Sequence, residues 1–581
     1  MRADILAAES GTIRKKWKGR LPVALIYPNT YPIAVSNLGF QQVYGLLNRR
    51  EEIVCERVVY PENGAPLRSL ESNRPLADFP VLCVSISFEH DFPRLAAMLA
   101  AGGIAPYAAE RSRAPVAPGA PLIIMGGVAV FMNPEPIAPF ADVMVIGEAE
   151  PVFDDLFILF GENRRGRLER QDLLRAFCGL RGCYVPSFYS FSYDADGRVT
   201  TIEPSRGAPE RVERIYLPDT AEAGHSILFT DKAELSMYMV ELGRGCSRGC
   251  RFCAAGFIYR PPRLWPKEAI LKALDKRPEQ IRRIGLLGME MAHSETLAEF
   301  SRLLHRDGLA LSFSSLRADR ITGDLVCLLA DSGLKSVAIA PDGASERLRR
   351  VINKGLCEDD LLAAARQLVR AGILHLKLYV MLGLPTETMR DLDELAAMLA
   401  RLRETVLPIA RKQGRMMEMT LSVNSFVPKP WTPFQYLSYG GLSRREALSS
   451  QEAASALVAL KQKIRYLRRM VQKIPNIRLR VDRPERVLEQ AVFSRGDRRL
   501  APVLMDMGTG RRTFRQAMKA RGLSRWQYAI RPRDADELFC WQVLDHGVTS
   551  GYLAQEMQRA FAEKKTAGCD TLLCKRCGVC R

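Results

Sequence analysis

Short apolar runs alternate with amphipathic segments along the first part of the chain. Residues 38–48 and 92–101 repeat apolar side chains at helical spacing. Five further runs have the length and composition of buried strands: Leu21–Tyr27, Ile53–Tyr60, Pro80–Ile86, Pro121–Gly127 and Asp142–Gly147. This alternation predicts an α/β fold in which residues 1–155 form a doubly wound, Rossmann-like parallel sheet.

The loops after these strands form the predicted ligand edge of the first sheet. Ligands of open α/β sheets bind beyond the carboxyl ends of the strands. These ends carry Pro28–Asn37, Ser87–Asp91, Gly126-Gly127 and Gly147-Glu148. We therefore expect a ligand of this sheet to lie beside these four loops.

A second series of strands and helices begins near residue 236. Residues 156–235 are less regular and are predicted to form a linker with a small β-element. Residues 236–440 contain six strand-like runs, each followed by a helical stretch: Met237–Glu241, Arg283–Leu287, Leu309–Phe313, Ser336–Ala340, Leu376–Met381 and Met419–Val423. In parallel barrels the functional residues lie at the carboxyl ends of the strands. Residues 441–581 are predicted to form an α-rich C-terminal extension.

The segment Gly243–Gly256 carries the most specific chemical signal. Cys246, Cys250 and Cys253 follow the first strand of the second series in the spacing C-x3-C-x2-C. Three thiolates this close in sequence can converge on one soft metal centre. In a four-iron cluster they leave one iron open to a cofactor or substrate. Three free cysteines, or a zinc site that lacks one ligand, are the alternatives.

The C-terminal tail holds a second group of cysteines in the spacing C-x4-C-x2-C-x2-C. These residues are Cys569, Cys574, Cys577 and Cys580. Four thiolates can close a complete site for an auxiliary iron–sulfur cluster, which we favour, or for structural zinc, which is the alternative. Because the tail is short and terminal, we expect it to be disordered without metal.

Charge and composition indicate what kind of partner the protein binds and where in the cell it is located. The net charge of +19 and the pI of about 9.4 indicate an anionic partner such as RNA, although a merely soluble basic surface is the alternative. The chain shows no secretory signal and no run of about 18 apolar residues, so we predict a cytoplasmic protein without a membrane span. Clustered thiols in such a protein favour metal sites over disulfides.

The cysteine spacing, with Phe252 before the third cysteine, resembles the signature of radical S-adenosylmethionine (SAM) enzymes. The resemblance implies a 4Fe-4S cluster on Cys246, Cys250 and Cys253, with SAM on the open iron. It implies a partial (β/α)6 barrel over residues 236–440 and an electron donor such as flavodoxin or ferredoxin. It also implies that SAM is cleaved reductively to a 5′-deoxyadenosyl radical, which abstracts hydrogen from a substrate.

Two strand ends of the predicted barrel are similar to SAM-contacting motifs of that superfamily. Gly288–Glu290 resembles the Gly-Gly-Glu that holds the SAM amino group, which implies this role for Glu290. Gly383–Glu387 resembles the turn beside the adenine, which implies contacts from Gly383, Pro385 and Glu387. Four further residues are predicted to reach the SAM carboxylate and ribose from the barrel top, with ordinary ion pairs as the alternative: Ser315, Arg317, Asp342 and Lys377.

The first sheet resembles the cobalamin-binding-like domain that is fused to many radical SAM enzymes. The resemblance rests on Gly126-Gly127, Asn133–Pro136 and Gly147–Glu150, and it implies corrinoid contacts from Gly126, Gly127, Gly147 and Glu148. The loop D-x-H-x-x-G, whose histidine ligates cobalt in most such proteins, is missing; His90-Asp91 has the reversed order. We therefore expect a bound corrinoid to have no histidine ligand on its cobalt.

The resemblance extends over most of the chain, to an uncharacterised subgroup with a cobalamin-like domain and a cysteine-rich C-terminus. We consider three functions for this chain. The leading one is corrinoid-assisted methyl transfer to a carbon. The second is a corrinoid-independent modification of RNA or a peptide, such as sulfur insertion, which would use an iron–sulfur cluster in the tail. The third is a non-catalytic zinc- and RNA-binding protein, and the turn at Gly383–Glu387 argues against it.

Overall fold

The first sheet of the computed structural model contains all five strands that the sequence predicts. The model describes residues 2–62, 64–164, 169–218, 221–290, 294–450 and 452–580. The strands of this sheet are β1 (Leu21–Tyr27), β2 (Ile53–Val59), β3 (Val81–Ser85), β4 (Leu122–Gly126), β5 (Val143–Val145) and β6 (Cys183–Tyr184). Their order is β2-β1-β3-β4-β5-β6, parallel except for β6. In sheets of this order, ligands bind at the switch point between β1 and β3.

The helices of this region extend past residue 155, where we predict the first domain to end. Strand β6 also lies beyond that residue and still pairs with β5. The predicted small β-element is a hairpin of Tyr189–Tyr193 with Val199–Pro204. The helices are Arg2–Ala7, Tyr31–Val35, Leu38–Arg49, Phe92–Ala101, Ala108–Arg111, Val128–Met132, Phe153–Arg164 and Arg170–Cys178.

The second unit contains the six predicted strands and one more. They are β7 (Tyr238–Glu241), β8 (Arg283–Leu287), β9 (Ala310–Phe313), β10 (Ser336–Asp342), β11 (His375–Leu382), β12 (Glu418–Ser425) and β13 (Ile477–Val481). Strands β7-β8-β9 and β10-β11-β12-β13 form two parallel sheets. A parallel bridge between Leu316 and Ile339 joins them into one partial barrel.

Helices cover one face of this barrel because every second strand residue is apolar. In β11, Leu376, Leu378, Val380 and Leu382 are buried in the main hydrophobic core, whereas the residues between them are partly exposed. The barrel helices are Ala255–Ile258, Lys267–Asp275, Ser294–Asp307, Gly323–Asp331, Glu346–Val351, Glu358–Arg370 and Met389–Lys412.

The C-terminal extension is α-rich, as predicted, and contacts both sheets. The side chain of Asn133 donates hydrogen bonds to the carbonyls of Ser494 and Gly496 at 3.1 and 2.8 Å. No helix in the described ranges combines the length and hydrophobicity needed to cross a membrane. The helices of the extension are Arg444–Ser450, Ala453–Val471, Pro484–Arg495, Ala501–Gly508, Phe514–Ala520 and Ser550–Phe561.

Candidate functional site

The segment Gly243–Gly256, called the cysteine loop below, follows β7 at its carboxyl end. Gly245 and Gly249 adopt positive φ angles of 85° and 74°. A Cβ atom at Gly245 would lie 2.6 Å from the carbonyl oxygen of Tyr259. Glycine is therefore required at Gly245 for the loop to turn close to the chain that follows it.

The three thiols of the cysteine loop lie in a shielded environment with a nearby cation. Burial raises the pKa of Cys246 to about 12 and that of Cys250 to about 11. Each thiol interacts electrostatically with a neighbouring cysteine of the loop, and the positive charge of Lys354 opposes the rise at Cys250 and Cys253. Because metals bind the thiolate form, Lys354 favours the state that a cluster needs. The donor set of three cysteines fits an open iron–sulfur cluster.

Lys354 belongs to a small polar group that includes two residues predicted from the sequence. Its ammonium nitrogen lies 2.6 Å from the carboxylate of Asp342. The guanidinium of Arg317 donates a hydrogen bond to the carbonyl of Lys354 at 2.8 Å. The structure therefore brings Asp342 and Arg317 to the cysteine loop. Sequence reasoning missed Lys354, which lies in the loop after the helix Glu346–Val351, because it approaches Cys250 only in the folded chain.

Glu290 contacts the cysteine loop directly. Its carboxylate accepts a hydrogen bond from the Ser247 backbone amide at 2.5 Å and another from the Ser247 hydroxyl. Glu290, Ser315 and Arg317 line one cavity of about 970 Å³, called the cysteine-loop cavity below. A carboxylate and a guanidinium in one cavity beside the cysteines are suited to the ammonium and carboxylate of an amino acid.

Lys377 does not lie where the sequence placed it. It is the third residue of β11, which runs from His375 to Leu382. Since a parallel strand rises about 3.3 Å per residue, Lys377 lies roughly 16 Å from the carboxyl end of β11. The prediction that it lies at the barrel top is wrong, because the strand begins before the lysine and continues well beyond it.

The turn Gly383–Glu387 is buried under the C-terminal extension. The Glu387 carboxylate accepts a hydrogen bond from the Gly383 amide at 2.9 Å and pairs with Lys463 at 2.8 Å. A Cβ atom at Gly383 would lie 2.9 Å from Leu460 and 3.1 Å from Gly440. Pro385 is also buried. These packing contacts account for the conformation of the turn. Its contact with SAM stays a prediction.

A second cavity, of about 580 Å³, lies at the carboxyl edge of the first sheet and is called the sheet-edge cavity below. Gly126, Gly127, Gly147 and Glu148 all line it. At Gly127 and Gly147 a Cβ atom would collide with backbone carbonyls, at 2.4 and 2.0 Å. At Gly126 the nearest atom would be 3.9 Å away, in Val145, so the absent side chain leaves free volume. A cavity of this size is typical of cofactor sites.

The described residues that line the sheet-edge cavity include no histidine. The expectation that a bound corrinoid has no histidine ligand stays a prediction. The ring of His90 instead contacts the carbonyl of Arg486 at 2.9 Å, between the C-terminal extension and the first sheet. Glu148 pairs with Arg263 at 2.5 Å and with Arg244 of the cysteine loop at 2.8 Å. These arginines lower the pKa of Glu148 although burial opposes them.

The two cavities meet at the loop after β8. Gly288 and Met289 line both the sheet-edge cavity and the cysteine-loop cavity. Met289 is 42% exposed. A ligand of the first sheet and a ligand of the cysteine loop would therefore lie on either side of one short segment. The sequence offers no signal for Met289, because only the fold brings the first sheet to this loop.

The tail, residues 566–580, packs against the cysteine loop. The Cys569 amide donates a hydrogen bond to the Ser247 carbonyl at 2.6 Å. The guanidinium of Arg260 lies 3.1 Å from where a Cβ of Gly249 would be, and it also lies beside Cys577. The four tail cysteines interact electrostatically around this arginine. The two groups of cysteines are therefore neighbours in space although they are far apart in sequence.

Neither the cysteines of the cysteine loop nor those of the tail are arranged to hold a single metal ion. In the described part of the chain, no three side chains of His, Cys, Asp or Glu lie close enough to hold one metal ion. A cluster of several irons spreads its thiolate ligands farther apart than one ion does.

Arg576 donates a hydrogen bond to the Cys574 sulfur at 3.2 Å and so lowers the pKa of that thiol.

Comparison with known proteins identifies related sequences for most of the chain. An uncharacterised protein of Methanocaldococcus jannaschii, MJ0966, is 27% identical over 484 residues, which are 83% of this chain and 90% of that protein. Among solved structures, the radical SAM methyltransferase TsrM from Kitasatospora setae, with cobalamin and a 4Fe-4S cluster bound, is 14% identical with a TM-score of 0.45, over 70% of this chain and 75% of that one. The cobalamin-dependent radical SAM enzyme OxsB is 15% identical with a TM-score of 0.46, over 69% and 53%.

Two family models match this chain. The model described as "Radical SAM proteins, N-terminal" matches residues 39–186, and the model of the radical SAM superfamily matches residues 240–399. Together they match more than half of the chain, including five of the six strands of the first sheet and the cysteine loop. This overturns the alternative of a non-catalytic zinc- and RNA-binding protein. The chain is a radical SAM enzyme and belongs to the radical SAM superfamily.

Proposed function

We propose that this enzyme transfers a methyl group to an unactivated carbon, with a corrinoid in the sheet-edge cavity and SAM in the cysteine-loop cavity. The observation that carries the proposal is that the two cavities share Gly288 and Met289. Transfer of a methyl group needs donor and acceptor within reach of each other, and a protein contributes most by holding both in place. The loop after β8 is the segment that would set this separation.

The cysteine loop would supply the residues for the cluster, and the cysteine-loop cavity would supply those for SAM. Cys246, Cys250 and Cys253 would hold a 4Fe-4S cluster, which supplies the electron for SAM cleavage when it is bound. Glu290 would accept the SAM ammonium and Arg317 would bind its carboxylate, since both line the same cavity. The hydrogen bonds from Ser247 fix the Glu290 carboxylate beside the cysteines.

The sheet-edge cavity supplies a mostly apolar compartment. Leu25, Val84, Ile124 and Phe157 line it from the sheet and its helices. Such walls exclude water from a reactive centre. A corrinoid would supply a cobalt centre that carries the methyl group, and the free volume at Gly126 leaves room for part of its ring.

A second candidate function is supported by the position of the tail. The hydrogen bond from Cys569 to Ser247 places the tail cysteines beside the cysteine loop. An iron–sulfur cluster in the tail would then lie next to the SAM site, as a corrinoid-independent modification of RNA or a peptide, such as sulfur insertion, requires. This candidate predicts two iron–sulfur clusters and no cobalt.

Metal analysis after anaerobic reconstitution separates the two candidates. The protein is loaded with iron, sulfide and hydroxocobalamin and desalted, and cobalt, iron and zinc per chain are measured. We expect about one cobalt per chain, because the sheet-edge cavity retains the corrinoid. A wild-type protein without cobalt, with iron for two clusters, would support the second candidate and refute the first.

A pair of substitutions at Gly126 tests whether the sheet-edge cavity is the cobalt site. Gly126→Val fills the cavity and should abolish cobalt retention while the iron content stays unchanged. Gly126→Ala adds one methyl group, for which there is space, and serves as the matched control with most of the cobalt retained. Equal cobalt in wild type and Gly126→Val would show that the corrinoid binds elsewhere.

A further inference from the structure

The inner face of the barrel is basic at its last strands. On β11 the residues that alternate with the buried leucines are polar or partly exposed, among them Lys377 and Tyr379. On β13 the alternating residues are Arg478 and Arg480, and both are exposed. These four residues are called the inner basic face below. The position of Lys377, away from the predicted SAM site, therefore needs another explanation.

Strand register puts the four residues on one surface. Lys377 pairs across Thr420 with Arg478, and Tyr379 pairs across Ser422 with Arg480. Residues two apart on a strand are separated by roughly 7 Å, and residues two strands apart by roughly 10 Å. Burial, followed by the positive charge of Lys377 and those of Arg478 and Arg480, lowers the pKa of His375 on the same face. The cations are therefore close enough to act on one ligand.

Unlike most arginines near the site, these cations have weak protein partners or none. In the described ranges, Lys377, Tyr379 and Arg480 form no side-chain hydrogen bond or ion pair, and Arg478 pairs with Glu418 at 3.8 Å. By contrast, Arg244 and Arg251 are each held by carboxylates at 2.8 to 3.1 Å. Glu418 at the amino end of β12, and Asp482 directly after β13, are the acidic residues next to this face.

The inner basic face has access to solvent and leads to the cysteine loop. Strand β13 is an edge strand whose one neighbour within the described residues is β12. The opposite edge strand of the barrel is β7, which leads into the cysteine loop. Strand β10, next to β11, ends at Asp342, which pairs with Lys354 beside Cys250. A chain lying on this face would therefore run toward the site of radical formation.

We propose that the inner basic face binds a single-stranded nucleic acid and presents one nucleotide to the SAM site. Lys377, Arg478 and Arg480 would bind successive phosphates, and the Tyr379 ring would stack on a base. Weakly paired or unpaired cations around a partly exposed aromatic ring are a combination that suits single-strand binding. As an assignment of substrate class, this rests on the proposed function, but the binding can be tested without any cofactor.

The test measures the fluorescence anisotropy of labelled single strands of RNA and DNA, each about 15 nucleotides long, with the metal-free full-length protein. We expect Lys377→Ala/Arg480→Ala to weaken binding at least tenfold. Each lost phosphate contact also lowers the salt dependence, so the slope of log K against log salt should fall by about 1.4. We expect Tyr379→Leu to weaken binding about tenfold without changing that slope, because it removes stacking alone.

The control removes the same charge from another surface. Arg465 and Arg468 are exposed on the helix Ala453–Val471. We expect Arg465→Ala/Arg468→Ala to change the affinity less than twofold. An equal loss in this control, or no binding by the wild type, would overturn the proposal. The RNA and DNA arms identify the kind of strand that is preferred.

Cobalt retention of the same preparations separates this proposal from the proposed function. If the wild type binds RNA through the inner basic face but retains no cobalt, the methyltransferase proposal fails and the nucleic-acid site stands. If it retains cobalt and binds neither strand, the nucleic-acid site fails alone. All the substituted residues are at least partly exposed, so the variants should fold.

Discussion

Arg251 shows how a residue of the cysteine loop can be structural although it follows a predicted ligand directly. Its guanidinium is fully buried and pairs with Glu556 at 3.1 Å. It also donates hydrogen bonds to the carbonyls of Val351 at 2.9 Å and Lys564 at 2.7 Å. The residue thereby joins the cysteine loop to a barrel helix and to the chain that leads into the tail.

Arg251→Met should destabilise the metal-free protein by about 3 kcal/mol, because it leaves Glu556 buried without its main cation. Urea denaturation measures this change. Arg248→Ala is the matched control: Arg248 lies in the same loop, lines the cysteine-loop cavity and has no ion pair with any residue that the structure describes, so the effect should stay within about 0.5 kcal/mol. Equal stabilities of the two variants would refute the structural role of Arg251.

His546 is a buried histidine that must stay neutral. Its ring donates a hydrogen bond to the Phe131 carbonyl at 2.7 Å. Burial, together with repulsion by Arg214, lowers its pKa from 6.5 to about 3. The neutral ring therefore stabilises the folded state fully above pH 6.5, and this contribution is lost as the pH falls from 6.5 toward 3.

His546→Leu should remove this dependence on pH. Between pH 6 and 4 the unfolding free energy of the wild type should fall more steeply than that of the variant, by up to about 1.4 kcal/mol per pH unit. Denaturant titrations at several pH values give both curves. Parallel curves would mean that His546 is protonated normally in the folded protein.

At the scale of elements, the strands that the sequence predicts are those with runs of buried apolar residues. Strand β13 is not among the predicted strands, because it lies within a stretch with ten basic residues between 461 and 486, where Ile477, Leu479 and Val481 alternate with arginines. The helix Arg170–Cys178 is not predicted either, because the hydrophobic pattern of residues 156–235 is irregular. Short amphipathic elements with charged faces give a weak hydrophobic pattern.

The sequence likewise predicts only some residues of the candidate site. Cys246 is predicted from the spacing of the cysteines, and Glu290 from the resemblance of Gly288–Glu290 to a motif of the superfamily. The contacts of Lys354, Met289 and Arg260 could not be predicted, because each residue meets a segment remote from it in sequence: the cysteine loop, the first sheet and the tail, respectively. Lys377 lies near the amino end of its strand both in the predicted run Leu376–Met381 and in the structure, so its expected place at the barrel top did not follow from the strand ends.

Substitutions at the turn Gly383–Glu387 can decide whether the turn has a structural role or binds SAM. Lys463→Met leaves the Glu387 carboxylate buried without its partner and should cost about 3 kcal/mol of stability. Adding Glu387→Gln removes the uncompensated charge, so the double variant should regain part of this loss in denaturation experiments. If both variants keep wild-type stability and lose SAM binding, the turn serves the cofactor instead.

The tail gives a prediction for metal removal. Cys574→Ala/Cys577→Ala should lower the iron content by one cluster and make the tail sensitive to limited proteolysis, because so short a segment has little core of its own. Cys357→Ser, at an exposed cysteine outside both groups, is the control and should change neither property. Loss of zinc instead of iron would establish the zinc alternative.

At the scale of the whole molecule, the C-terminal extension and the loop after β12 hold the first sheet on the barrel. Arg498 of the extension pairs with Glu135 at 2.8 Å. Trp431 of the loop donates a hydrogen bond to the Met132 carbonyl at 3.0 Å, and Lys429 pairs with Glu89. These contacts fix the two cavities on either side of Met289, so the adjacency on which the proposed function rests is built by the full chain.

Electron paramagnetic resonance of corrinoid-loaded, reduced protein tests this adjacency most directly. We expect the cobalt(II) signal to be broadened or split by the nearby reduced cluster. In Cys246→Ala/Cys250→Ala/Cys253→Ala, which keeps the tail cysteines, the signal should revert to that of isolated cobalt(II). A protein without a cobalt signal, or one whose signal is identical in both forms, would contradict a corrinoid beside the SAM site.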